Sequence, residues 1–430
     1  MDSPLDNALR QALDGRMDRG TPLFDLAKST PTAAPDLFSN DYLSITSDPE
    51  LSRSFLEKLA QESATLGAGG SRLLGGNPLA HVQFELRMKE IFSTEAALLF
   101  NSGYDANTAF FSSLPQAGDA IIFDELVHAS ARDGMSVSRA KDALYPFSHN
   151  SVLSLKQTLC VVLQQHPNIA QGKGTAFFAV ESLYSMDGDL APLPEMLNSI
   201  DELIPKNCSH IVVDEAHGTG LYGEGGRGIV SMLGLGHRVH SVLHTFGKAR
   251  GFSGAVLLTS VLVKSYITNY ARPFIYTTAL PRTHIAALNA SFDYVMNQKG
   301  QDRRDRLQEL CRFFESHLRE AVKMVDAKFI SLPPRNVPEG YPEGIRTPIF
   351  PILTPMPLSL AKHIQSLGYA CYAIPHPAVP KGQERIRVIV HAENTESELV
   401  DFIKQLLDWV AVQRQAQIDG KSLNIHLARL

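Results

Sequence analysis

Ile211-Val212-Val213-Asp214-Glu215-Ala216-His217-Gly218-Thr219-Gly220 is the stretch on which the fold turns. A short apolar run ends on a carboxylate, and a histidine and glycines follow at once. Further on, His244-Thr245-Phe246-Gly247-Lys248-Ala249 repeats the pattern with a lysine after the run. Working outward, residues 120–124, 176–181, 210–214, 242–245 and 255–259 read as strands. They are short, continuous and apolar, as strands covered on both faces are. Helical runs alternate with them between about Pro78 and Thr259, which predicts an α/β domain with a mainly parallel sheet. The polar residues cluster just past these runs: His128 after the first, Ser185 after the second, Asp214 and His217 after the third, Lys248 after the fourth. Open α/β sheets bind ligands at those carboxyl ends.

A lysine, a carboxylate and a histidine at neighbouring strand ends are the parts that hold pyridoxal 5'-phosphate. The lysine bonds the aldehyde, and the carboxylate keeps the pyridine nitrogen protonated, so that the ring accepts electrons. A surface lysine at a helix start is the bland reading of Lys248. Its flanks, Thr-Phe-Gly before and Ala-Arg-Gly after, argue for a backbone that lets a bulky ligand approach. Asp214 reads either as a helix cap or as a buried carboxylate that needs a cationic partner. His217 is placed to hydrogen-bond the cofactor's phenolic oxygen, and His128 to stack on its ring. Asn101-Ser102-Gly103-Tyr104-Asp105-Ala106-Asn107 is a turn into a helix, whose free N–H groups suit a phosphate. Gly67-Ala68-Gly69-Gly70-Ser71-Arg72-Leu73-Leu74-Gly75-Gly76-Asn77 lacks the Gly-Lys-Ser/Thr ending of a P-loop. It is expected to face substrate, close to a neighbouring active site.

The chain has 430 residues, 44% of them apolar, enough for a large core and one or two domains. A net charge of −5 without a basic block disfavours nucleic-acid or anionic-membrane binding. The longest apolar runs are strand-length, so no transmembrane helix is expected. The start, Met1-Asp2-Ser3-Pro4-Leu5-Asp6, lacks the apolar core of a secretory signal. Cys160, Cys208, Cys311 and Cys371 are scattered, which predicts neither a disulfide framework nor a metal site. Ala428-Arg429-Leu430 resembles a Ser-Lys-Leu address, so the expected compartment is the peroxisome for a eukaryotic chain and the cytoplasm otherwise.

Asp48-Pro49-Glu50 predicts a helix to about residue 64, capped by Asp48 with Pro49 in its first turn. After about residue 285 the pattern changes. Residues 303–325 read as an amphipathic helix, and 347–353 and 385–390 as strands. Thr395-Glu396-Ser397-Glu398 fits a capping box, followed by Leu399, Ile403, Leu406 and Val410 at helical spacing. The expected organisation is an N-terminal segment 1–50 that contributes to the substrate site, a large α/β domain 51–285, a smaller α+β domain 286–412, and a loose polar tail 413–430.

Six ordered motifs across residues 40–407 resemble the α-oxoamine synthase family of fold-type I pyridoxal phosphate enzymes. They are Ser39-Asn40-Asp41-Tyr42-Leu43, Ala97–Tyr104 with its Asn-Ser-Gly-Tyr ending, Ser185-Met186-Asp187-Gly188-Asp189, Asp214–Gly220, Ala271–Pro281 and Arg385-Ile386-Arg387. The resemblance implies a seven-stranded-type sheet and a homodimer with shared active sites, in which Thr277 and Thr278 reach the partner subunit's phosphate. It further implies that Gly103, Tyr104, Ser185 and Thr245 contact the cofactor, and that Asn40, Ser71 and Arg387 contact substrate. The implied reaction is a decarboxylative condensation of an amino acid with an acyl-CoA, giving an aminoketone, CoA and carbon dioxide. His217-Gly218-Thr219-Gly220 and Thr245-Phe246-Gly247-Lys248 look most like the branch that joins a pimeloyl thioester to alanine in biotin synthesis. The same core is compatible with serine, glycine or alanine and a long-chain or polyketide thioester. It is also compatible with an aminotransferase on this fold, or with a non-catalytic partner subunit, against which the intact Lys248, Asp214 and His217 speak. Departures from the family pattern at Ser44, at Arg250 and in the segment before Asn40 are expected to lie where the acyl chain enters.

Overall fold

The computed structural model describes residues 3–18, 35–61 and 66–419. Seven strands form one sheet: β1 (Ala96–Phe100), β2 (Ala120–Asp124), β3 (Leu144–Phe147), β4 (Ala176–Glu181), β5 (Ser209–Asp214), β6 (Ser241–Thr245) and β7 (Ala255–Thr259). Their order is β1-β7-β6-β5-β4-β2-β3. The pairs β3–β2, β2–β4, β4–β5 and β5–β6 are parallel. β7 runs antiparallel to both β6 and β1. Only residues 246–254 join β6 to β7, too few for a parallel crossover. Every residue of β1, β2, β4 and β7 is buried, which is why these strands are apolar throughout rather than alternating. All five expected strands are present.

Parallel alignment brings the carboxyl ends of β2, β4, β5 and β6 to one edge, with Glu181 of β4 directly beside Asp214 of β5. Around them the helix Pro49–Gln61 begins as expected. Asp48 Oδ1 accepts N–H bonds from Glu50 (2.8 Å) and Leu51 (3.0 Å). Its expected continuation to residue 64 lies outside the described residues. Just before it, Ser44 adopts φ 50°, a left-handed conformation in which glycine carries no Cβ cost. That turn is held from outside by Arg303, whose Nη1 donates to Leu43 O (2.8 Å) and whose Nη2 pairs with Asp48 (2.7 Å). Arg250 is fully buried, with its guanidinium over the Phe292 ring at 4.1 Å. It packs in the core and does not face an entrance.

A second, antiparallel sheet comprises β8 (Ile349–Leu353), β9 (Tyr372–Ile374) and β10 (Arg385–Ile389) in the order β8-β10-β9. The helix Gln298–Lys323, capped by Asn297, and the helix Glu396–Ile418, opened by the Thr395–Glu398 capping box, accompany it. The expected boundary near residue 285 falls inside the helix Arg282–Met296. Asp293 ties that helix to Lys58 (2.6 Å) and Arg87 (2.5 Å). This helix is thus tied to two helices, Pro49–Gln61 and Leu79–Phe92, on the large-domain side of the expected boundary. The loose tail expected from 413 is corrected as well: the last helix runs to Ile418, because Ala, Gln and Arg extend a helix already anchored by buried Trp409 and Val410. Ala428-Arg429-Leu430 lies outside the described residues. Among those described, no helix is long and apolar enough to cross a membrane.

Candidate active site

The turn after β6 presents Lys248, half-buried, with Nζ 2.9 Å from His217 Nε2. His217 Nδ1 lies 2.5 Å from the hydroxyl of Tyr42, which is 3.1 Å from Asn40 Oδ1. Arg387 Nη2 donates to that same amide oxygen at 3.1 Å, while its Nε donates to Ser185 O at 2.6 Å. The direction of this chain follows from its far end. Asn40 Oδ1 only accepts, so the Tyr42 proton is spent on it. The Tyr42 oxygen must then accept from His217 Nδ1–H, and Nε2 is left with a lone pair for Lys248. The imidazole in this arrangement is neutral. Burial pushes its pKa well below the ordinary histidine value, and the charges of Lys248 and Arg387 push the same way. Burial also lowers the Lys248 amine, against the pull of Asp214 and Glu181. An amine that sheds its proton readily is what a nucleophile or general base requires. Arg387 is almost fully buried, and its Nη1 makes no protein hydrogen bond among the described residues. That edge suits a substrate carboxylate.

Asp214 ends β5 on the floor of the site. Its Oδ2 accepts from Asn107 Nδ2 at 2.8 Å and its Oδ1 from Ala216 N at 2.9 Å. No helix follows it directly, so the cap reading does not apply. Asn107 also donates to Ser130 Oγ (3.0 Å), which stands 2.7 Å from His128 Nδ1. His128 caps the helix Ala129–Ser136 by accepting from Ser130 N. Three more residues belong here: Glu181 at the end of β4, and Tyr42 and Asn107, which the sequence shows only as members of longer motifs. Glu181 accepts the His128 N–H at 2.7 Å, and burial with the adjacent Asp214 carboxylate holds its pKa well above the ordinary range. Tyr42 is fully buried and links His217 to Asn40. Asn107 orients Asp214. For Glu181 there was a signal, a carboxylate closing an apolar strand just as Asp214 does. Asn107 shows in the sequence only as the last residue of the Asn101–Asn107 turn, with nothing local to tie it to Asp214.

The helix Gly103–Ser113 points its N-terminus at the same place. Ser102 Oγ caps it by accepting from Asp105 N. A Cβ on Gly103 would stand 2.5 Å from Thr245 Cγ2, so only glycine lets the turn lie this close to β6. Tyr104 is half-exposed, and its hydroxyl bonds Asp133. Toward an anion at the helix start it has its backbone to offer. Thr277 and Thr278 lie against Asn101 of the same chain, whose Nδ2 donates to Thr278 O at 2.7 Å. Ser71 is nearly buried, and its Oγ accepts from Leu74 N within its own loop. That loop joins the threonine segment through Ala279 N–H to Gly70 O at 3.0 Å. No hydrogen bond among the described residues links Ser71 to the Lys248 cluster. The loop carrying Ser185 is fixed by Asp187 to Arg385 (2.5 Å) and by Asp189 to His149 (2.9 Å).

These donors fit a phosphorylated pyridine aldehyde. A helix start without a Cβ can take the phosphate, a buried carboxylate can take a protonated ring nitrogen, and a low-pKa lysine can take the aldehyde.

The sequence model of the aminotransferase class I and II family matches residues 36–406. An 8-amino-7-oxononanoate synthase of Emericella nidulans is 38% identical over 415 residues, covering 95% of this chain and 97% of its own. An aminoacyl transferase of Aspergillus fumigatus is 37% identical over 389 residues, 87% of this chain and 82% of its own. Among solved structures, serine palmitoyltransferase of Sphingomonas wittichii superposes with a TM-score of 0.78 at 25% identity, covering 97% of this chain and 100% of its own.

Proposed function

The chain belongs to the aminotransferase class I and II family and within it to the α-oxoamine synthases, and on that premise we propose that it condenses L-alanine with pimeloyl-CoA to give 8-amino-7-oxononanoate, CoA and carbon dioxide. It is a pyridoxal phosphate-dependent acyltransferase. The observation that carries the substrate reading is the 38% identity to an 8-amino-7-oxononanoate synthase over nearly the whole of both chains. Lys248, Asp214, His217, His128, Gly103, Tyr104, Ser185 and Thr245 are the residues proposed to hold the cofactor. Bound there, it supplies an electron sink for charge that develops on the amino-acid Cα.

The chain's own residues do the rest. Arg387, with one edge anchored on Asn40 and Ser185, clamps the amino-acid carboxylate. Lys248 takes the Cα proton, and His217 Nε2 accepts a hydrogen bond from its amine and fixes its direction. The new carbon–carbon bond forms at the thioester carbonyl and CoA leaves. The β-keto acid then loses carbon dioxide, and Lys248 returns a proton to Cα. Asp214, kept in orientation by Asn107, holds a negative charge where a ring nitrogen needs one. The enzyme is proposed to act as a homodimer, with Thr277 and Thr278 serving the partner subunit's phosphate.

A second reading has a specific observation behind it. The likeness to an aminoacyl transferase at 37% identity, together with the superposition on a serine palmitoyltransferase at 25% identity, favours the same chemistry on serine and a long acyl thioester. Release of free CoA from a matrix of alanine, serine and glycine against pimeloyl-, palmitoyl- and shorter acyl-CoA tests both. Turnover confined to alanine with pimeloyl-CoA supports the first. A preference for serine or a long chain replaces it with the second. Keto-acid production without any thioester would instead mark an aminotransferase.

A further inference from the structure

Beyond the Ser185 loop, Gly188, Asp189 and Leu190 form one wall of a cleft of about 600 Å³. The helix Gln298–Lys323 and residues 334–347 form the rest, and none of Lys248, Asp214 or His217 lines it. Its lining carries four guanidinium groups, Arg312, Arg319, Arg335 and Arg346, against two carboxylates, Glu315 and Asp189. Both carboxylates are already engaged. Glu315 lies 3.0 Å from Arg319 and 2.5 Å from Arg346, and Asp189 lies 2.9 Å from His149. That leaves two arginines, Arg312 and Arg335, without a carboxylate partner among the described residues. Arg312 is exposed and makes no hydrogen bond or ion pair among the described residues. Arg335 lies over the Phe350 ring at 4.4 Å and spends Nη2 on the carbonyls of Gly188 and Ile349 and on Thr347 Oγ1, while its Nη1 is buried without an acceptor. A buried guanidinium donor without a partner costs stability unless something else satisfies it. Burial lowers the Arg335 pKa as well, and an anion beside it would offset that.

We infer that this cleft is a binding site for a phosphate ester, with the phosphate between Arg312 and the cleft-lining guanidinium of Arg335. A dianion matches the excess of two positive charges, and a planar guanidinium grips phosphate with paired N–H donors. The volume is that of a nucleotide-sized ligand rather than of a lone ion. Two sources share this chemistry: the 3'-phosphate end of a CoA thioester, or a free phosphate monoester. Only the first rests on the thioester reading above.

The test is calorimetric titration of the holoenzyme with 3',5'-ADP, CoA, dephospho-CoA and inorganic phosphate, in wild type, Arg312→Glu and Glu315→Gln. Arg312 is exposed, so its substitution spares the fold. Arg335→Met is avoided because Arg335 also ties two backbone carbonyls. The expected result is saturable 3',5'-ADP binding that weakens with salt, is at least about tenfold weaker in Arg312→Glu, and is tighter in Glu315→Gln. If CoA competes with 3',5'-ADP, dephospho-CoA does not, and Arg312→Glu raises the thioester KM alone, the CoA end is the occupant. If inorganic phosphate competes equally and the thioester KM is unmoved, the site serves a free phosphate monoester. Absence of binding by every phosphate ligand, or equal affinity in Arg312→Glu and wild type, overturns the site. Because binding is read directly, failure of the condensation reading would leave this result standing.

Discussion

Gly103→Ala tests the cradle at its tightest point. The added Cβ would stand 2.5 Å from Thr245 Cγ2, and ordinary contact begins near 3.4 Å. The start of the helix Gly103–Ser113 must therefore retreat from β6 by about 1 Å, on the scale at which overpacking costs ~1–3 kcal/mol. If the phosphate sits on that helix start, the cost appears in cofactor affinity, as a loss of roughly 5- to 150-fold. Thr245→Ser supplies the control. It removes Cγ2, keeps the hydroxyl, and leaves the nearest Thr245 atom, Cβ, at 3.5 Å. The double variant should recover most of the affinity. The assay is titration of each apoenzyme with pyridoxal phosphate by fluorescence quenching, with apoenzyme melting temperatures to separate lost affinity from lost fold. Wild-type affinity in Gly103→Ala, or no recovery in the double variant, refutes the placement of the phosphate between this helix and β6.

Arg387→Lys should raise the amino-acid KM far more than it raises the thioester KM, because a lysine cannot keep one edge on Asn40 and Ser185 while offering another; equal rises would contradict the clamp. His149 bears on the Ser185 loop. Burial opposes its charge, but hydrogen bonds to Asp124 and Asp189 prevail and push its pKa up to about 10. A raised pKa stabilises fully below the unfolded value near 6.5 and is lost as pH rises through about 10, an upper figure of ~5 kcal/mol. The stability deficit of His149→Gln in urea should therefore shrink steadily from pH 6 to pH 9.5, and a constant deficit would deny that the imidazole is charged. Mixing Lys248→Ala chains with Thr277→Ala/Thr278→Ala chains should restore about a quarter of wild-type activity, since half of randomly exchanged dimers are hybrids with one intact site each. No recovery despite proven exchange would put the threonines in their own subunit's site, beside Asn101 where the single chain already holds them.

How far the sequence was legible depended on how local the cause was. Strands β2, β4, β5, β6 and β7 announce themselves because both faces are covered, and the Thr395–Glu398 capping box because its bonds span three residues. β3 contains Pro146 and lies at the sheet edge, so its pattern is weak. Lys248, Asp214 and His217 are visible as polar residues at strand ends. Tyr42 is visible only as a member of the Ser39–Leu43 motif, since its role comes from a hydrogen bond to His217, 175 residues away. Arg250 looked like an entrance residue because only its neighbours in the chain were in view; its burial over Phe292 depends on the helix Arg282–Met296. Ser44 is a departure from the family pattern, which has glycine there, and its φ of 50° is a conformation in which glycine carries no Cβ cost.

In the proposed mechanism Lys248 carries the cofactor's aldehyde. Borohydride reduction of the holoenzyme, followed by peptide mapping with mass spectrometry, tests it most directly. The account predicts a single reduced pyridoxyl phosphate adduct, on the peptide containing Lys248, and none in Lys248→Ala. Lys264, paired with buried Glu85 at 2.7 Å, should remain unmodified. An adduct on Lys264 or any other lysine, with Lys248 untouched, would contradict the account.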